Sequence, residues 1–134
     1  GYPFLQRWTM DIRRRWFRKT CHLPVILTIG GQKVHCCGLM DSGNSLYEPI
    51  TRRPVIIVEQ QLLIQNEIPL PDGFFVIPYN AIGTQRGFLK GVLADELEIP
   101  EQQGEQRWRK VMLGIYEGKV SQKDEYQVIL HPKL

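Results

Sequence analysis

The chain has 134 residues, a length that predicts a single domain able to bury a core without metals or disulfides. Its hydrophobic content of 43% and charged content of 23% are typical of globular proteins. Six basic residues and one acidic residue lie in residues 1–20, which leaves 11 basic and 13 acidic residues in the remainder. Because the excess positive charge belongs to one terminal segment, the composition argues against nucleic-acid binding, which needs a basic folded face.

Residues 1–20 combine this basic cluster with four large aromatic residues, Phe4, Trp8, Trp16 and Phe17. Such a segment is typical of a membrane-proximal linker, in which Lys and Arg meet anionic headgroups and Trp lies at the interface. It is equally typical of an amphipathic arm that packs on the domain that follows. Composition leaves both interpretations open. We divide the chain into a basic arm at 1–21 and a folded domain at 22–134.

From residue 22 onwards, short β-rich runs alternate with turn formers. Gly30-Gly31 separates two such runs and predicts a tight hairpin turn. Residues 41–45 form a cluster of turn residues, and residues 59–65 have the composition of a short helix. Strands are predicted at 23–29, 32–40, 55–58, 74–77, 88–93, 96–99, 108–113 and 126–130. This pattern predicts a mostly β fold, a sandwich or closed barrel with one or two short helices.

The three cysteines, Cys21, Cys36 and Cys37, cannot all pair, and adjacent cysteines rarely form a disulfide with each other. We interpret them as thiols in a reducing compartment. A zinc site that adds the neighbouring histidines is the alternative. The hairpin register, however, places Cys21 opposite Met40, about 16 Å from His35 at ~3.3 Å per residue. Zinc ligands must all lie within ~2.3 Å of the metal, so no metal site is predicted.

The sequence contains one Asp-Ser-Gly triplet, Asp41-Ser42-Gly43, directly after the apolar residues Leu39 and Met40. Two carboxylates that share one proton can hydrolyse a peptide bond, because like charges ~3 Å apart cannot both ionise. Each carboxylate then needs a rigid turn that approaches its partner closely. A hydroxyl residue can lock such a turn, and a glycine removes the steric limit. On its own, the triplet is also a common surface turn.

The residues around this triplet resemble those of known proteases. Ile29 to Gln32, leading into Leu39 to Gly43, resembles the hairpin that carries the catalytic turn of retroviral-type aspartic proteases. Over residues 23–132 the chain closely resembles the bacterial sporulation sigma-E factor-processing peptidase family, through Gly38 to Asn44, Pro54 to Val58, Ile77 to Tyr79, and Gly87 to Leu89. This implies a retropepsin-like closed β-barrel or sandwich that is active as a homodimer. As a departure, Leu113 to Gly118 stand where retroviral proteases have a helix.

The resemblance also implies a chemistry and a set of site residues. The family acts as an aspartic endopeptidase on pro-sigma-E without a cofactor, and Asp41 would be the catalytic residue of each subunit. The active-site turn would be supported by Ser42, Gly43 and Asn44. A hairpin flap would close over the substrate, with these residues near its tip: Tyr79, Ile82, Gly83 and Gly87. Since no other aspartate is followed by Ser-Gly or Thr-Gly, the second carboxylate would come from a second chain.

Members of the family are membrane proteins of the sporulation septum, with the protease domain on the cytoplasmic face. The resemblance therefore implies that residues 1–20 link this domain to a preceding membrane domain. A signalling protein would act across the septum through that membrane domain. The alternative is a catalytically silent β-domain that binds a sigma factor or an extended peptide at the membrane. An enzyme and a binding module differ in their response to Asp41→Asn, which should abolish cleavage and spare binding.

Overall fold

The computed structural model describes residues 21, 23–71, 73–80, 86–101 and 104–134. Of the predicted arm at 1–21 only Cys21 is described, so the boundary between arm and domain remains a prediction. The described part of the chain contains seven strands and one short helix. In chain order these are β1 (Pro24–Ile29), β2 (Gln32–Met40), β3 (Val55–Glu59), α1 (Gln60–Gln65), β4 (Phe75–Asn80), β5 (Arg86–Glu101), β6 (Gly104–Tyr116) and β7 (Val128–Leu130).

The β1–β2 hairpin follows from its two glycines. Gly30 and Gly31 have φ values of 57° and 81°, the left-handed conformation that a two-residue hairpin turn requires and that glycine adopts readily. This turn sets the register of the two strands and places Ile26 opposite His35. The register predicted from the sequence is therefore confirmed.

The strands form one sheet in the order β1-β2-β7-β3-β6-β5-β4. An additional antiparallel pairing of β1 with β5, with Leu27 opposite Leu97, closes the first six strands of that order into a barrel. β4 pairs with β5 beyond this ring and forms a hairpin on its edge. The predicted mostly β fold, with a closed barrel and a short helix, is confirmed.

Two apolar clusters hold the fold together. The larger cluster fills the barrel with aliphatic side chains from β1, β2, β3, β5, β6 and β7, and α1 adds Leu62 and Leu63 to it. The smaller cluster joins the β4–β5 hairpin to β3 and β6 through Val55, Ile77, Leu89 and Met112. The hairpin is therefore fixed to the barrel by packing as well as by backbone hydrogen bonds.

The strands of the β5–β6 hairpin are longer than predicted. The runs at 88–93 and 96–99 belong to the single strand β5, and its partner β6 begins at Gly104 rather than at residue 108. Asp95 and Arg107 are exposed residues inside these strands, and the β5–β6 pairing runs from Lys90 to Glu101 with the single exception of Asp95 and Lys110. There Arg107 forms ion pairs with Glu98 at 3.1 Å and with Glu105 at 3.0 Å.

The prediction that all three cysteines are thiols is wrong for two of them. Cys21 and Cys37 form a disulfide, with their Cα atoms 5.6 Å apart. The sequence argument extended β1 backwards in a straight line, which placed Cys21 opposite Met40. Pairing with β2 instead ends at Leu23, and Cys21 lies next to Cys37 rather than opposite Met40. The third cysteine, Cys36, is a buried thiol, and burial raises its pKa to about 12.

Candidate active site

Asp41 follows directly on the last residue of β2. This strand runs parallel to β7, with Leu39 opposite Ile129 and Met40 opposite Leu130. Because parallel strands bring their carboxyl ends to the same edge of the sheet, Asp41 lies where β2 and β7 end together. The Asp41 side chain is half-buried, so its carboxylate is held by the protein and still open to the surface.

The turn after β2 is closed by Asp41 itself. The Gly43 N–H donates to Asp41 Oδ1 at 2.9 Å, and the Asn44 N–H donates to the Asp41 carbonyl at 3.1 Å. Such a turn, in which the carboxylate bonds to the backbone two residues later, is typical of aspartate. A Cβ atom at residue 43 would lie 3.2 Å from Asp41 Oδ1, which explains why a glycine suits this position. Ser42 is exposed.

Asn44 anchors this turn to the barrel. Its side-chain amide donates to the carbonyl of Val55 at 2.9 Å and to the carbonyl of Leu130 at 3.2 Å. Its side-chain oxygen accepts the Leu46 N–H at 3.1 Å. The residue is buried, with 6% of its surface exposed, so these bonds are made away from water and are costly to lose. The position of Asp41 is therefore tied to the start of β3 and the end of β7.

The loop that continues from the turn is stabilised by a buried carboxylate. Glu48 is fully buried and accepts the N–H groups of Ile50 and Thr51 at 2.9 and 2.7 Å, and the Thr51 hydroxyl at 2.8 Å. Burial raises the pKa of Glu48, but these hydrogen bonds outweigh it, and the pKa lies below its usual value. Glu48 therefore keeps its charge and holds the loop in one conformation.

His131 packs beneath the same loop. Its ring meets the ring of Tyr47 edge to face, with centroids 4.8 Å apart, and its Nδ1 accepts the Lys133 N–H at 3.0 Å. Its Nε2 has no hydrogen-bond partner within the described part of the chain, although the residue is 1% exposed. Burial has the largest effect on the pKa of His131 and lowers it; the Leu46 backbone partly offsets this effect, and the charge of Lys133 lowers the pKa again, so that it lies below its usual value.

A cavity of about 260 Å³ lies between this loop and the β4–β5 hairpin. Its walls are mostly apolar and include Leu46 from the loop, Ile57 from β3 and Ile129 from β7, the residue opposite Leu39. Tyr79, Leu89 and Tyr116 also line it, together with Lys119 and Val120. The volume suits one large side chain, since pockets for whole small molecules begin at ~300 Å³.

The β4–β5 hairpin is the element predicted as a flap. Tyr79 and Gly87 lie opposite each other in its register, and the Tyr79 ring passes over Gly87 so closely that a Cβ there would lie 2.6 Å from the Tyr79 hydroxyl. Ile82 and Gly83, the two other predicted flap residues, lie outside the described residues. Of the described half of the predicted flap set, Tyr79 lines the cavity and Gly87 lies against the Tyr79 ring.

Two kinds of feature are absent from the described ranges. No helix there is long and apolar enough to cross a membrane. No group of three or more His, Cys, Asp or Glu side chains there is arranged to hold a metal ion.

The sequence-predicted turn residues 41–44 all come together, and Tyr79 with Gly87 forms a second group in the β4–β5 hairpin. Sequence reasoning missed Glu48 and His131. A lone glutamate ahead of Pro49-Ile50-Thr51 gives no pattern from which a buried cap could be inferred. His131 lies 90 residues from Asp41 in the sequence, and only the pairing of β2 with β7 brings the two elements together.

Fold and site together define a closed six-stranded barrel with an Asp-Ser-Gly turn at the end of β2 and an apolar cavity between the following loop and the β4–β5 hairpin. The peptidase family described as Sporulation factor SpoIIGA matches residues 1–134, and the chain belongs to that family. No solved structure matches the chain significantly.

Curated relatives are known from several bacilli. The chain is 30% identical over 161 aligned residues to the sporulation sigma-E factor-processing peptidase of Bacillus subtilis (strain 168), covering 100% of this chain and 52% of the relative. The corresponding peptidase of Priestia megaterium is 26% identical, with the same two coverages. A protein of Bacillus thuringiensis subsp. kurstaki is 28% identical over 84% of this chain and 83% of its own length. The chain thus spans about half the length of two of these relatives.

Proposed function

We propose that this chain is the catalytic part of an aspartic endopeptidase that activates a sporulation sigma factor by cleaving its precursor. The observation that carries the proposal is the single Asp-Ser-Gly loop, which holds Asp41 rigidly at the surface through Asn44. In this proposal the active site forms across a homodimer, and each chain contributes one Asp41. One carboxylate activates a water molecule, and its protonated partner donates to the carbonyl oxygen of the scissile bond.

Exposed apolar residues beside the carboxylate support the homodimer. Leu39 and Met40 are 38% and 52% exposed, and Tyr47 and Ile50 in the following loop are 43% and 81% exposed. Exposed apolar residues of this kind are typical of a contact with another protein. A two-fold symmetry axis next to Asp41 would bury these residues in the interface and place the two Asp41 carboxylates next to each other.

The cavity and the hairpin supply the substrate site in this proposal. A side chain of an extended precursor peptide would enter the apolar cavity between Leu46 and Tyr79. The hairpin would lie over the peptide, exclude water and offer backbone hydrogen bonds. Ser42, Gly43 and Asn44 support the carboxylate and do not react.

The identity of the substrate rests on the relatives, two of which are named for processing sigma-E factor. We extend that substrate, pro-sigma-E, to this chain. The same proposal places the parent protein in the membrane of the sporulation septum, with residues 1–20 as the linker and a signalling protein acting from the other side. The basic, Trp-containing composition of residues 1–20 supports this placement.

The proposal is tested by co-expressing the full-length parent protein with pro-sigma-E and following the shortened product on immunoblots. Asp41→Asn should abolish processing, whereas the precursor should still co-purify with the variant. Asp124→Asn is the matched control, because Asp124 is an exposed carboxylate in a turn far along the chain, and it should process normally. Undiminished processing by Asp41→Asn refutes the proposal. Binding of the precursor without cleavage by the wild type would instead favour the silent binding domain.

A further inference from the structure

The β4–β5 hairpin has a second face that the proposed catalytic site does not use. Its side chains alternate, and those that point away from the cavity are mainly apolar: Phe74, Val76, Pro78, Phe88 and the aliphatic stem of Lys90. We call this set the outer hairpin face. Phe74 is 57% exposed, Val76 is 52% exposed and Phe88 is 69% exposed.

The register shows that these residues form one surface. Val76 lies opposite Lys90 and Pro78 lies opposite Phe88, and residues opposite each other in an antiparallel pair share a face. The Lys90 ammonium lies 5.3 Å from the centre of the Phe74 ring, so Phe74 joins the same surface. Among the described strands β4 has only β5 as a neighbour, which leaves this surface at an edge of the sheet.

We propose that the outer hairpin face inserts into the surface of an anionic lipid bilayer. Charge complementarity favours this occupant. The sequence from Phe74 to Gly91 contains two basic residues and no acidic residue, and residues 1–20 add a net charge of five positive units. Lys90 can extend its stem along the apolar surface while its ammonium group meets lipid phosphates. Aromatic and aliphatic side chains flanked by basic residues are the composition of segments that bind at membrane interfaces.

The shape of the surface favours lipid over a protein partner. Phe74, Val76 and Phe88 protrude from a two-stranded hairpin, and the cavity lies on the opposite face. A protein partner needs a surface with complementary shape, whereas lipid chains adapt to protruding side chains. The proposed function already assigns a second copy of the chain to the apolar residues around Asp41. The inference is independent of catalysis, since lipid binding needs no active site.

The test uses the 134-residue chain and vesicles of phosphatidylcholine, either alone or with phosphatidylglycerol, in a co-sedimentation assay. We expect binding to the anionic vesicles and a loss of about tenfold in affinity for Phe88→Ser, because the variant no longer buries an aromatic ring among the lipid chains. The matched control is Ile64→Ser on α1, which removes an apolar side chain that is 57% exposed, and it should bind like the wild type. Residues 1–20 are present in every variant, so the comparison isolates the hairpin.

A second variant gives a test that does not depend on whether Phe88→Ser folds correctly. Lys90→Glu keeps the apolar side chains but reverses the charge, and it should weaken binding to anionic vesicles without changing the circular dichroism spectrum. Equal binding of wild type, Phe88→Ser and Lys90→Glu to anionic vesicles would overturn the proposal. So would a shift from dimer to monomer in Phe88→Ser in sedimentation equilibrium without lipid, because that result assigns the face to a second copy.

Discussion

Asn44 determines how firmly the candidate catalytic carboxylate is held. Replacing it with alanine removes two donors and one acceptor and leaves the carbonyls of Val55 and Leu130 and the N–H of Leu46 without this partner. We expect Asn44→Ala to lower the free energy of unfolding by about 2–4 kcal/mol, since each unsatisfied buried group costs ~1–3 kcal/mol. Processing of the precursor should fall as well, because the turn at Asp41 loses its attachment.

The control for Asn44 is another asparagine that bonds to the backbone. Asn66 donates to the Leu62 carbonyl at 2.7 Å but is exposed at the end of α1, so water can replace its bond. Asn66→Ala should cost less than about 1 kcal/mol in urea titrations. Equal losses for the two variants would show that Asn44 is an ordinary turn residue and that the loop is held by other contacts.

Turns that depend on neighbouring residues in the sequence could be predicted, whereas hydrogen bonds that depend on strand pairing could not. The turn at 41–44 and the glycine turn at Gly30-Gly31 depend on neighbours in the chain, so both were correctly predicted. The two acceptors of Asn44 lie 11 and 86 residues away and become partners only when β7 inserts between β2 and β3. The resemblance to a family implied that Asn44 supports the turn, and the structure adds the carbonyl groups to which Asn44 donates.

At the scale of the elements, Gly87 in the β4–β5 hairpin leaves room for the Tyr79 ring, which lines the cavity. A Cβ at residue 87 would lie 2.6 Å from the Tyr79 hydroxyl, so Gly87→Ala must displace the Tyr79 ring, which lines the cavity. We expect processing to fall by about tenfold, because displaced positioning groups cost rate even when they are not reactive. Thermal stability should change little, since the contact is made by the far end of a flexible side chain.

A double-mutant cycle on processing rates separates this mechanism from a general effect on the hairpin. Tyr79→Ala alone should reduce processing, and adding Gly87→Ala to it should cause little further loss, because no ring remains to be displaced. Additive losses would mean that Gly87 acts through the backbone of the hairpin and not through Tyr79.

The β strands themselves illustrate what a sequence pattern can and cannot predict at this scale. Apolar runs located every strand, but exposed residues such as Asp95 and Arg107 were read as ends of strands. Asp95 instead accepts the Gly31 N–H at 2.9 Å, which connects β5 to the β1–β2 turn. Closure of the barrel by β1 and β5 sustains a 16-residue strand that its local composition does not suggest.

At the scale of the whole molecule, the closed barrel of one chain carries a single Asp-Ser-Gly triplet. Catalysis by two such carboxylates would therefore require two chains. The disulfide between Cys21 and Cys37 attaches residue 21 to β2, the strand that leads to Asp41. If residues 1–20 lie next to the membrane, as proposed, β2 would connect that segment to the Asp41 loop. Assembly of two such chains is then a step at which the proposed enzyme can be controlled.

Mixing subunits tests this dependence on assembly. Wild-type and Asp41→Asn chains, co-expressed with different tags, should form mixed dimers that carry one carboxylate and are inactive. Processing per wild-type chain should therefore fall to about a half in an equal mixture, because only half of the wild-type chains then have a wild-type partner. Asp124→Asn chains in place of Asp41→Asn should leave the activity per wild-type chain unchanged or higher. Activity per wild-type chain that stays constant as Asp41→Asn is added would show that each chain acts alone, and the shared site would have to be abandoned.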